Sequence, residues 1–84
     1  MVVEIEWAAR ETIRQLNETL SFNVEYIDEH LYNVHLTDTV GPGSFIVEIR
    51  YSPTSYTCEL LAAHEIDTQR LIWFMETFVK LLND

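Results

Sequence analysis

The sequence predicts an α+β domain: an N-terminal helix, a four-stranded antiparallel meander and a C-terminal helix, with both helices on one face of the sheet (α-β-β-β-β-α). Three observations carry this. Apolar residues recur at the helical period at both ends of the chain, they alternate with polar residues at a period of two in between, and the joints between the alternating stretches are short and carry Gly, Pro, Ser or Asp.

At the N-terminal end, Val2, Ile5, Ala9, Ile13, Leu16 and Leu20 stand at spacings of 3, 4, 4, 3 and 4, which average close to one helical turn. At about 100° per residue they form a seam only about 80° wide. Trp7 lies well off that seam, so the first helix carries an aromatic where its own core does not require one.

From Ser21 the period becomes two. Phe22, Val24 and Tyr26 alternate with Asn23 and Glu25. Tyr32, Val34 and Leu36 alternate with Asn33, His35 and Thr37. Phe45, Val47, Ile49 and Tyr51 alternate with Ile46, Glu48 and Arg50, and Tyr56, Cys58 and Leu60 with Thr57 and Glu59. Each stretch reads as a strand with one apolar face. The joints are "DEH" at 28–30, "TVGPGS" at 39–44 and "SPTS" at 52–55, all suited to turns. Links this short favour antiparallel neighbours.

The last helix is expected to start at an N-cap, Asp67 or Thr68, and to carry Glu76 and Lys80 as an i,i+4 pair in the favourable order. Leu71, Phe74, Met75, Phe78, Leu81 and Leu82 share one broad side. Trp73 falls on the other, among Gln69, Glu76 and Lys80. Tryptophan is the residue type that most often carries interface energy, so Trp7, Trp73, Gln69 and Glu76 are the candidate partner-binding residues.

Length and charge narrow the function. A chain of 84 residues is one domain, spanning 1–84, that buries only about 60–65% of its unfolded surface. Its 14 acidic and 5 basic residues give a formal net charge of -9. That charge opposes contact with nucleic-acid phosphates and anionic membranes, and it suits a basic partner surface. Cys58 is the single cysteine, so no internal disulfide forms and an intracellular location is expected. Neither a secretory leader nor a membrane span is expected, since Met1 to Ile5 is followed at once by charge and the chain has no long apolar run.

Catalytic chemistry finds no motif. His30, His35 and His64 are not spaced as metal ligands. His35 is placed on the open sheet face near Glu25 and Glu48, as a solvated histidine. Cys58 falls between Tyr56 and Leu60 on the inward register, as a small buried hydrophobe. "GPG" at 41–43 lacks the Lys and the helix start of a phosphate loop. No catalytic, cofactor-binding or metal-binding residue is expected.

The stretches "LSFNVEYIDEHLYNVHLTD", "SFIVEIRYSPTSYTCEL" and "EIDTQRLIWFMETFVKLL" follow in order and spacing the strand pair, third and fourth strands, and final helix of a known family. The chain resembles RWD domains, specifically the divergent RWD heads of the small subunits of the outer-kinetochore rod complex. Tyr51, Ser52 and Pro53 stand where that family has its tyrosine-and-proline turn. The resemblance implies a non-catalytic interaction domain that pairs with a companion RWD subunit as a heterodimer, binds a basic adaptor peptide and works at the kinetochore, in the nucleus, during cell division. The seam of the first helix is compatible with a coiled coil entering the head. An alternative reading of the acidic charge is a small phage-type inhibitor that mimics nucleic acid and occupies the phosphate groove of a nuclease or another DNA-binding protein.

Overall fold

The computed structural model describes residues 2–84, so Met1, part of the leader reading, lies outside the described residues. Helix α1 (Val2–Leu16) is followed by strands β1 (Leu20–Asp28), β2 (Leu31–Asp38), β3 (Ser44–Tyr51) and β4 (Tyr56–His64), and by helix α2 (Thr68–Leu82). The strands form one antiparallel sheet in the order β1-β2-β3-β4, and both helices pack on one of its faces, as the alternation predicts.

Helix α1 ends sooner than the apolar spacing suggests. The Asn17 N–H donates to the Arg14 carbonyl at 3.2 Å and the Glu18 N–H to the Ile13 carbonyl at 2.9 Å, while Asn17 adopts φ 53°. This is a Schellman closure, with asparagine tolerating the left-handed conformation. Leu20, expected on the helical seam, therefore belongs to β1, where it is buried opposite Asp38. The seam is also broader than expected, because Ala8 and Thr12 are buried beside Ile5 and Ala9. Thr12 satisfies its hydroxyl by donating to the Ala8 carbonyl at 2.7 Å. The helix thus lies on a core, and the small Ala8 and Ala9 admit close neighbours.

The core joins Tyr32, Val34 and Leu36 of β2 and Phe45, Val47 and Ile49 of β3 to Leu71, Phe74 and Phe78 of α2. Phe45 meets Phe74 edge-on at 5.5 Å between ring centroids. Each buried phenylalanine contributes about 1.5–3 kcal/mol through removal from water.

The turns follow from local chemistry. Asp28 Oδ1 accepts from the His30 N–H at 2.8 Å and fixes the first hairpin. Ser52 and Ser55 exchange backbone hydrogen bonds around Pro53 and Thr54. Asp67, rather than Thr68, caps α2, its Oδ1 accepting from the N–H groups of Gln69 at 2.9 Å and Arg70 at 3.3 Å.

Strand β4 runs on to His64, beyond the expected end at Leu60. Val47 pairs with Leu60 and Ile46 with Ala62, so Leu61 is the extra residue of a bulge. The bulge breaks the alternation at the point where the sequence pattern stops being readable.

Candidate protein interaction surface

The two helices run antiparallel over the sheet, so the start of α1 meets the end of α2. Between them opens a cleft of about 390 Å³ lined by Val3, Glu4, Trp7, Tyr56, Leu81, Leu82 and Asp84. Its lining is mostly apolar, with the carboxylates of Glu4 and Asp84 among it. Trp7 keeps 51% of its surface exposed.

Trp73 is exposed to the same degree, 54%, but it does not line this cleft. It precedes Leu81 by eight residues, about 12 Å along the helix axis. Gln69, Trp73, Glu76 and Lys80 recur at spacings of 4, 3 and 4 and are all exposed, forming one stripe along α2. The helix layer therefore presents two separate aromatic positions: Trp7 in the cleft, and Trp73 on the stripe with Gln69 and Glu76.

Two anchoring features hold this layer in place, and neither was signalled by the sequence pattern. At the start of α2, Arg70 donates from Nε and Nη2 to the two carboxylate oxygens of Glu18 at 3.1 and 2.7 Å, and from Nη1 to Asp38 at 3.1 Å. Glu18 and Asp38 expose only 12% and 8% of their side chains. Asp38 also accepts from the Thr19 hydroxyl at 2.8 Å and from the Val40 N–H at 3.2 Å. The Thr19 hydroxyl first, and then the Val40 amide and Arg70, hold the Asp38 carboxyl below the usual carboxylate range. The same carboxylates hold the Arg70 guanidinium firmly charged, Glu18 most of all.

At the other end, Asn83 caps α2 with a φ of -103°. Its side-chain oxygen accepts from the Tyr56 N–H at 2.8 Å, and its amide nitrogen donates to the carbonyls of Tyr56 at 2.9 Å and Val79 at 3.0 Å. The side chain thus acts as a one-residue substitute for a neighbouring strand.

The chain's own carboxylates engage most of its cations. Arg14, Arg50 and Arg70 are engaged by Glu11, Glu48, Glu18 and Asp38 of the chain itself, and Arg10 lies over the Phe22 ring at 5.6 Å. Most of the cationic charge is therefore spent internally, leaving an acidic surface.

His35 lies on the open sheet face, with Nε2 at 2.8 Å from Glu25 Oε1. Glu48, its other expected neighbour, pairs with Arg50 at 3.2 Å. His30 stacks over Tyr51 with centroids 6.3 Å apart. Cys58 packs against the core, and burial pushes its thiol up to about 12, which keeps it protonated and poorly nucleophilic at neutral pH. Among the described residues, no group of three or more His, Cys, Asp and Glu side chains converges as a metal would need, and no helix is long and apolar enough to cross a membrane.

Comparison with protein-family models, with curated proteins and with solved structures finds no match to this chain.

Proposed function

We propose that this chain is a non-catalytic protein–protein interaction domain that uses the outer side of its helix layer to hold a basic, partly apolar segment of a partner. The observation that carries this reading is the pair of half-exposed tryptophans on the helix layer of an acidic chain: Trp7 in an apolar cleft with the carboxylates of Glu4 and Asp84, and Trp73 on a stripe with Gln69, Glu76 and Lys80. A tryptophan already standing in water gains most when a partner covers it, and neighbouring carboxylates select cationic side chains and speed encounter.

The finer form of the proposal is an RWD-like head of the kinetochore type, paired with a companion subunit. It is supported by the sequence resemblance and by the order helix, four-strand meander, helix. The nucleic-acid-mimic reading is less favoured, because Glu11, Glu18, Asp38 and Glu48 are held by the chain's own arginines and so are withdrawn from any phosphate-like array.

The test is panning of a random-peptide library on the folded chain, with calorimetry on the enriched peptides. The expected result is enrichment of Lys/Arg-containing apolar peptides whose binding weakens by at least about 2 kcal/mol in Trp73→Ala or Trp7→Ala, with circular dichroism unchanged. Failure to enrich any peptide, or undiminished binding by both variants, overturns the proposal.

A further inference from the structure

Strand β4 is one of the two edge strands of the sheet and, among the described residues, pairs with β3 alone. The direction of its free backbone groups follows from its first residue. Tyr56 stands opposite Tyr51, whose own N–H is turned to the His30 carbonyl on the β2 side. The N–H and C=O of Tyr56 point outward, and Asn83 captures both. Because the ladder alternates, Cys58 and Leu60 direct their N–H and C=O groups outward too, and past the bulge so does Ala63. These groups continue the edge at which Asn83 imitates a fifth strand.

The side chains along this edge are unusual for one meant to stay solvated. Leu60 shares a face with the fully buried Val47, its cross-strand partner, yet is 42% exposed, and Leu61 is 48% exposed. Ile72, also 42% exposed, precedes Asn83 by 11 residues, which at about 100° per residue places it on the same side of α2. That side is the one Asn83 shows to face β4. Protein edges are commonly protected by Lys or Pro, but β4 has neither, and residues 51–69 contain no Lys or Arg.

The charge around the edge is acidic. Glu59 lies directly opposite Glu48, a like-charge cross-strand pair of the kind that costs stability. Glu48 has Arg50 as its cation; Glu59 is exposed, one strand nearer the edge. Glu65 and Asp67 follow β4.

We propose that the β4 edge over Cys58–Ala63 takes up an extended segment of a partner protein by strand addition, a segment in which Lys or Arg alternates with apolar residues. Main-chain bonds form to Cys58, Leu60 and Ala63. The segment's apolar side chains lie against Leu60 and Ile72, and its cations lie beside Glu59 on the opposite face. Asn83 blocks the register at Tyr56 and so sets one limit of the added strand. This site is distinct from the tryptophan positions and does not depend on them.

The test is an NMR titration of the isotopically labelled chain with an end-capped seven-residue peptide alternating Lys and Val, with hydrogen exchange on the complex. The expected result is amide shifts and slowed exchange at Cys58, Leu60 and Ala63, and binding weakened roughly tenfold by Leu60→Lys. A peptide with alternate backbone N-methyl groups tests the same point without altering the protein, and it is expected not to bind. Equal binding of a Glu-for-Lys peptide, shifts confined to the helices, unimpaired binding of the N-methylated peptide, or no shifts overturns the proposal. Slowed exchange at these amides that grows with protein concentration in the absence of peptide overturns it as well, since the occupant is then a second copy of the chain.

Discussion

Arg70 and Glu18, 52 residues apart in sequence, meet through two parallel hydrogen bonds of 3.1 and 2.7 Å. Together with the bond to Asp38 at 3.1 Å, this joins the first turn of α2 to the link after α1 and to the end of β2. The planar fork of arginine suits such a bidentate contact, and lysine cannot reproduce it. Replacing Arg70 by Ala leaves two largely covered carboxylates without their cation. It is expected to destabilise the fold by about 1–3 kcal/mol, and Arg70→Lys to recover only part of that. Chemical denaturation of the three proteins checks the order; an Arg70→Lys midpoint equal to that of the parent contradicts it.

The same cluster sets an acid limit. The folded carboxyl of Asp38 is lowered, first by the Thr19 hydroxyl, relative to about 3.9 in an unfolded chain. A lowered folded pKa contributes stability that is fully present above the unfolded value and is lost as pH falls through the folded one. The melting-temperature difference between the parent and Asp38→Asn is therefore expected to be constant from pH 7 to about 5 and to shrink below about 4. A difference that grows on acidification runs against this.

Gly43 is demanded by a close approach rather than by its backbone angles. A Cβ built on it stands 2.9 Å from the Glu65 carbonyl oxygen and 3.4 Å from Ile66 Cβ. The Gly43 carbonyl also accepts from the Asp38 N–H at 2.7 Å, which limits retreat on that side. Gly43→Ala is expected to lower stability by about 1–3 kcal/mol, whereas a Cβ at Gly41 stands 3.1 Å from Asp38 Oδ2 and meets no backbone atom, so Gly41→Ala is expected to cost less. Thermal melts of both variants decide this.

With its thiol pushed up to about 12, Cys58 is expected to react with iodoacetamide at pH 8 at least about a hundredfold more slowly in the native chain than in urea. Mass spectrometry of timed samples measures both rates. Comparable rates indicate that the strand opens readily.

Strands β2 and β3 were the most legible because each buries one face, and a one-residue slip would have exposed Val34, Val47 and Ile49, all fully buried. The helices were legible through Phe74 and Phe78 at one end and Ile5 and Ala9 at the other. What escaped has common physical causes. Leu20 continued a helical spacing, but Asn17 closed the helix before it. Leu61 opened a bulge that cancelled the alternation in β4. The tryptophans stood out as aromatics off an apolar stripe, and the structure leaves both half-exposed. The cleft beside Trp7 was not readable, since Tyr56 and Leu81 reach it from distant segments. Arg70 and Asn83 also depend on long-range partners that periodicity does not encode.

The central proposal, that the helix layer binds a partner through Trp7 and Trp73, is tested most directly by following the two indole N–H signals by NMR during titration with a peptide enriched on the folded chain. The expected result is that both signals shift and saturate together with the calorimetric binding curve, and that Trp7→Ala and Trp73→Ala remove their respective signals and weaken binding. Saturable binding that leaves both indole signals in place would contradict it.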